Sequence, residues 1–134
     1  ANLKEKALQF GKALDHDNFD IAKSLVADDC LYYYGEETLF GPEEIVGTYE
    51  ANMKEGRAKL DYLQWGDCEA EESMSNVFLL HFTDFLGHKG LKHTYHCSQE
   101  LTFNAEGKIS QIKTIEDPVE RQKLQDFYGQ VGLA

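Results

Sequence analysis

Between residues 2 and 15 the apolar positions recur every three or four residues. Leu3, Ala7, Phe10 and Leu14 form one stripe, with Lys4, Glu5, Lys12 and Asp15 away from it, which predicts an amphipathic helix. DHDN interrupts the pattern. Asp17 or Asn18 is placed to cap a short second helix carrying Phe19, Ala22, Leu25 and Val26, closed by Asp28 and Asp29. CLYYY is short and aromatic and reads as a strand, and GEE turns the chain into a second short strand, TLF. In GPEEIVGTYEANMKEG, Pro42 suits the first helical position, and Glu43 and Glu44 complement the positive end of the helix. Ile45, Tyr49 and Met53 make its inner face.

After residue 57 the period changes from helix to strand. AKLDYLQWGDCEAEE alternates but shifts phase at Gly66, so a bulge there keeps Leu63, Trp65, Cys68 and Ala70 on one face and leaves Asp67, Glu69 and Glu71 in water. NVFLLHFTDFL and LKHTYHCSQELTF flank GHKG as a long hairpin, NAEG turns again, and KISQIKTIE is the last strand. The tail opens with Asp117 as a cap and Pro118 at the first helical position. Leu124, Phe127, Tyr128 and Val131 then recur at helical spacing. Three helices with two short strands among them, a meander of four longer strands and a terminal helix predict an α+β fold. Helices lying across the open side of a curved, mixed or antiparallel sheet would enclose a cup.

The length, 134 residues, fits one domain spanning 1–134. With 13 basic against 24 acidic residues the formal net charge is −11, which disfavours nucleic acid or an anionic membrane as partner. No apolar run approaches the ~20 residues of a membrane-spanning helix, and ANLKEKALQF has no apolar signal core. Cys30, Cys68 and Cys97 are odd in number and lack CxxC spacing. They read as reduced thiols of a cytoplasmic protein, with neither a disulfide framework nor a zinc site, and no cofactor is called for.

Two stretches, ALDHDNFDIAKSLVADDC followed by FGPEEIVGTY, and ELTFNAEGKISQI, resemble the nuclear-transport-factor-2-like superfamily. This group includes ketosteroid isomerase, scytalone dehydratase and the SnoaL-like polyketide cyclases. The resemblance covers roughly residues 3 to 117. It implies a cone-shaped α+β fold with a pocket inside and, often, a homodimer through the outer sheet face. Ketosteroid isomerase uses an Asp base and an oxyanion hole of a Tyr and a protonated Asp. By the resemblance these positions fall here on Tyr34, Phe10 and Gln99. A phenol is a poor base for carbon acids at neutral pH and Phe10 donates nothing, so steroid isomerisation by that mechanism is disfavoured.

If Gln99 faces the cone, alternation sends Cys97, Tyr95 and His93 inward with it. A tight turn at His88–Lys89 would pair Asp84 with His93, Phe82 with Tyr95, Leu80 with Cys97 and Phe78 with Gln99. The resemblance makes Ile112, Thr114 and Glu116 the inward set of the last strand. The expected cup is then lined by Phe10, Tyr34, Trp65, Phe78, Phe82 and Ile112, with Tyr34, Tyr95, Gln99 and Glu116 as polar points and Cys97 and Thr114 beside them. His93, oriented by Asp84, is one candidate general base, weighed against a solvated cross-strand pair. Glu116 near apolar walls is another, weighed against a surface carboxylate. Tyr34 either donates a hydrogen bond to a ligand or plugs the cup, and Cys97 reads as a core thiol. His93 and His96 differ in parity, so one strand cannot aim both at one ion, and His96 goes with His81 instead. His81 and His96 fall opposite one another on the outer face and, with Val77, Leu79 and Phe85, suggest a subunit interface rather than a metal site.

Three functions follow, in this order. The first is a SnoaL-like protein binding a small, partly apolar molecule. The second is an isomerase, dehydratase or cyclase moving protons with Glu116 or His93 and Tyr34 or Tyr95. The third is a non-catalytic dimerisation or protein-interaction domain with a filled cup.

Overall fold

A computed structural model describes residues 2–134. Helix α1 (Leu3–Asp15) starts at Asn2, whose side chain accepts from the Lys4 amide at 2.8 Å, and it buries Ala7, Phe10, Ala13 and Leu14. Helix α2 (Phe19–Ser24) is shorter than the apolar pattern predicts. Leu25 caps it, and Val26, Asp28 and Asp29, expected to finish it, belong instead to β1 (Val26–Tyr34). Sheet pairing wins at this point. The Ile109 amide donates to the Leu25 carbonyl at 2.9 Å, and Val26 pairs in parallel with Ile109. Between Val26 and Leu31 four residues stand against the single Ser110, so β1 bulges and Asp28 and Asp29 reach water.

Strand β2 (Glu37–Phe40) returns antiparallel to β1 and runs into α3 (Gly41–Lys59). Pro42 lies in the first turn of α3, and the Phe40 amide donates to Glu44 Oε1 at 3.0 Å. Ile45 is fully buried while Tyr49 and Met53 are half-buried on the same side, the inner face that the sequence predicts.

The segment expected as one bulged strand is two: β3 (Tyr62–Trp65) and β4 (Glu69–Met74), both paired with β5 (Val77–His88). Trp65 stands opposite Asp84 and Glu69 opposite His81, so three residues, Gly66 to Cys68, cover what two cover on β5. The extra residue corrects the phase as predicted: Cys68 and Ala70 are buried, and Asp67, Glu69 and Glu71 are exposed. A Cβ on Gly66 would stand 3.0 Å from the Phe85 ring, so little else fits the crossing.

The β5–β6 hairpin departs from its predicted register by two residues. His88 pairs with Leu91 of β6 (Leu91–Phe103), leaving Lys89 and Gly90 as the turn, at φ +49° and +81°. Positive φ at both central residues matches the right-handed strand twist and selects this two-residue turn over the expected His88–Lys89. Asp84 therefore faces Tyr95, not His93; Phe82 faces Cys97, Leu80 faces Gln99 and Phe78 faces Leu101. A two-residue slip preserves parity, so every inward residue stays inward. On the outer face the expected His81–His96 pair is likewise displaced. His81 bonds Ser98 Oγ at 2.6 Å and Glu71 Oε1 at 2.8 Å, and His96 Nδ1 lies 3.3 Å from Thr83 Oγ1. That face is more polar than the apolar pattern implied.

Strand β7 (Ile109–Ile115) pairs antiparallel with β6 and parallel with β1, giving the order β2-β1-β7-β6-β5-β3 with β4 also on β5. Helix α4 (Pro118–Gln130) is capped by Asp117, which accepts from the Glu120 amide at 3.1 Å. The result is an α+β fold with a mixed, open, curved sheet and helices on its concave side. Phe10, Ile45, Leu80, Leu101 and Ile112 form the main core, while Phe127 of α4 and Val131 at its C-cap pack on Leu60 and Leu86 in a second one. Among the described residues no helix is long and apolar enough to cross a membrane.

Candidate functional site

Within the concave side one cavity of about 130 Å³ remains. The end of α1 contributes Leu14 and Asp15, α3 contributes Tyr49 and Met53, β3 Trp65, β5 Phe82 and Asp84, and β6 Cys97 and Gln99. The hairpin register puts Asp84, Cys97 and Gln99 here, and the β3 pairing brings Trp65 opposite Asp84. A second cavity of about 220 Å³ shares Met53, Trp65 and Asp84 with the first and extends under α4 to Tyr95, Leu124 and Tyr128. A larger surface hollow of about 500 Å³, at Lys23, Asp28, Asp29 and Lys108, is charged and open and lies outside the cone.

The polar groups of the first cavity divide into two kinds. Gln99, 7% exposed, is engaged at both ends of its amide: its Oε1 accepts from the Tyr49 hydroxyl and its Nε2 donates to the Tyr32 hydroxyl at 2.8 Å, which lies 3.4 Å from Thr114 Oγ1. Burial raises the Tyr49 hydroxyl well above an ordinary phenol. Asp15 and Asp84 are the second kind. Neither carboxyl forms a hydrogen bond or ion pair among the described residues, and each is partly withdrawn from water. Burial pushes Asp15 up to about 6, with His16 lowering it and Asp67 raising it. Burial, reinforced by the charge of Asp15, pushes Asp84 up to about 7. Cys97 is pushed up to about 12, first by burial and then by Asp84. Its thiol is a wall of the cavity rather than a nucleophile.

Of the residues expected in the cup, Trp65, Phe82, Cys97 and Gln99 line this cavity and Tyr95 lines the second. Phe10, Phe78 and Ile112 are inward but packed into the core, so the deep end of the cone is filled by the chain's own side chains. Thr114 is exposed and reaches the site only through Tyr32. Tyr34 is 37% exposed, edge-to-face on Tyr32, with its hydroxyl accepting from Asn52 Nδ2 at 2.9 Å, and it stands outside the cavity lining. His93 is paired with Leu86 and stacked on Phe127 at 5.4 Å between ring centroids; its Nε2 is buried without a partner. Glu116 lies past the end of β7, where alternation no longer orients it, and pairs with Arg121 at the surface. The two expected general bases are thus held by other contacts, and the cavity's ionisable oxygens come from Asp84 and from Asp15, which the apolar stripe had placed outside it. One signal for Asp15 was present: an acid in the last turn of a helix opposes the macrodipole, an unfavourable placement without another use. No group of three or more metal-ligating side chains occurs among the described residues.

No protein-family model and no curated protein sequence matches this chain. Solved structures do. A crystal structure of a Pseudomonas putida protein provisionally named a polyketide cyclase superposes with a TM-score of 0.66 at 10% identity, over 92% of this chain and 97% of that one. TerC, co-crystallized with polyporic acid, gives a TM-score of 0.64 at 16% identity, over 91% and 96% of the two chains. Both share the architecture that the opening stretches suggested. The chain has the cone-shaped fold of the nuclear-transport-factor-2-like superfamily, as the SnoaL-like proteins do.

Proposed function

We propose that this protein binds a small, partly apolar molecule in the cavity at the open end of the cone. One observation carries the reading: the apolar and aromatic walls of Leu14, Met53, Trp65 and Phe82 converge with two carboxyls that have no hydrogen-bond or ion-pair partner among the described residues. Few polar groups on largely apolar walls is the composition of a small-molecule site. A cavity near 130 Å³ is close to the size that takes up benzene when engineered into a protein interior. That TerC was crystallized with polyporic acid supports a small organic ligand on this fold. Native mass spectrometry before and after denaturation tests the reading: a releasable adduct supports it. Absence of an adduct, together with no thermal shift from any ring-sized compound, contradicts it.

A second reading, proton-transfer catalysis of the isomerase, dehydratase or cyclase kind, draws on Asp84 and Asp15. A carboxyl held near 7 exchanges protons at neutral pH, which general acid–base work requires. Asp84→Asn would then abolish turnover while preserving the fold. A homodimer through the outer sheet face and a cytoplasmic location belong to the same proposal, supported by Phe85, 39% exposed on that face, and by three free thiols. Sedimentation equilibrium tests the dimer.

A further inference from the structure

The two cavities on the concave side meet at Met53, Trp65 and Asp84. Among the described residues no Lys, Arg or His lines either one. Asp84 is the only charged residue of the second, and it shares the first with Asp15 alone. Gln99 is tied to Tyr49 and Tyr32, and Trp65, Tyr95 and Tyr128 add neutral donors, so the charged hydrogen-bonding groups of the lining are the carboxyls alone. Rings stand on both sides: Phe82 and Trp65 in the first cavity, Tyr95, Tyr128 and again Trp65 in the second. A ligand anion would meet two carboxylates in the lining, and a neighbouring cation, Lys59, is already seated over the Tyr128 ring at 4.9 Å. A neutral oxygen would bring at most one donor. An ammonium brings several N–H donors, a charge opposite to Asp84, and attraction to the ring faces. The net charge of −11 also favours a cation's approach.

Resting on the binding role proposed above, we infer that the ligand is a small amine with apolar groups on both sides of its nitrogen. The ammonium is held by Asp84 at the junction, one arm enters the cavity toward Leu14 and Asp15, and the other lies under α4 toward Tyr95 and Tyr128. Met53, an unbranched and adaptable side chain, is the movable partition between the arms. Asp15 is a second acceptor at the far wall of the first cavity.

Trp65 is the single tryptophan and lines both cavities, so its fluorescence reports occupancy of either. We would titrate the protein at pH 8 with dibenzylamine, benzylamine and dibenzyl ether, and repeat with Asp84→Asn, checking the fold of the variant by circular dichroism. The expected result is dibenzylamine binding about tenfold or more tightly than either comparison compound, as charge-assisted bonds and a second buried ring imply. Asp84→Asn is expected to erase the advantage of dibenzylamine over the ether. Ether binding as tight as dibenzylamine overturns the amine inference and leaves the binding role intact. Benzylamine binding as tight as dibenzylamine overturns the two-armed geometry. Amine binding that Asp84→Asn does not weaken places the cation elsewhere and also overturns the inference. Failure of all three probes to bind overturns the amine inference, while the binding role stands or falls with the mass-spectrometric adduct.

Discussion

The side-chain amide of Gln99 donates to the Tyr32 hydroxyl at 2.8 Å while its carbonyl accepts from Tyr49, so one buried amide ties β6 to β1 and to α3. Tyr32 and Tyr49 are also stacked on one another at 5.5 Å between ring centroids. Gln99→Leu keeps the volume, strands the Tyr49 hydroxyl and leaves the Tyr32 hydroxyl with Thr114 alone. Leaving such groups unpaired costs about 1–3 kcal/mol. Urea denaturation is expected to show a loss in that range, and a neutral substitution would mean that the network contributes nothing to stability.

Asp84 makes stability pH-dependent. Its folded value of about 7 lies above the ordinary 3.8, so the folded state holds a proton that the unfolded state releases. The stabilisation is complete below the unfolded value and is lost as pH rises through the folded one. Asp15, at about 6, acts in the same direction over a lower window. Asp84→Asn removes the ionisation, and its advantage over the parent protein is expected to widen between pH 5.5 and 8. Across that range the widening should be on the order of 2 kcal/mol. Paired urea melts at the two pH values measure this; a constant difference would show that Asp84 titrates normally.

Gly90 sits at φ +81° in the turn that sets the hairpin register, with open space around it. Gly90→Ala therefore meets no neighbour and suffers from backbone strain alone, expected at about 1 kcal/mol. A thermal melt with no change would remove the turn as the determinant of register.

Cys97 borders the cavity but is pushed up to about 12. At pH 8 its thiolate fraction is about a thousandfold below that of an ordinary cysteine. Iodoacetamide labelling followed by peptide mass analysis is expected to modify Cys97 at least about a hundredfold more slowly than a free thiol. Rapid modification would reopen a nucleophilic role.

Glu116 and Arg121 form an exposed pair past the end of β7. Exposed pairs contribute about 0–1 kcal/mol, so Glu116→Gln is expected to leave stability nearly unchanged and ligand binding untouched. Loss of binding in this variant would show that the site extends to the β7–α4 junction.

The elements of this protein were written in local patterns. The stripe Leu3, Ala7, Phe10, Leu14, the Gly41–Pro42 helix start, the Asp117–Pro118 cap and the phase shift at Gly66 each act over a few residues, so they were readable without partners. Parity was readable for the same reason, and a two-residue slip of the hairpin could not disturb it. Tertiary structure decided what period alone leaves open. Lys89 and Gly90 adopted positive φ and moved Asp84 from His93 to Tyr95. Long-range pairing with Ile109 converted Val26 from helix to strand. Phe10 and Ile112, inward as expected, were absorbed into the core because the helices close tightly over the sheet. Asp15 shows the limit most clearly. On its own helix it lies beside the apolar stripe, and only the meeting of α1 with Trp65 and Asp84 makes its carboxyl part of a cavity. Periodicity specifies which face a residue occupies; where two faces leave a gap, and which polar groups are left in it without partners, depends on how separate elements pack.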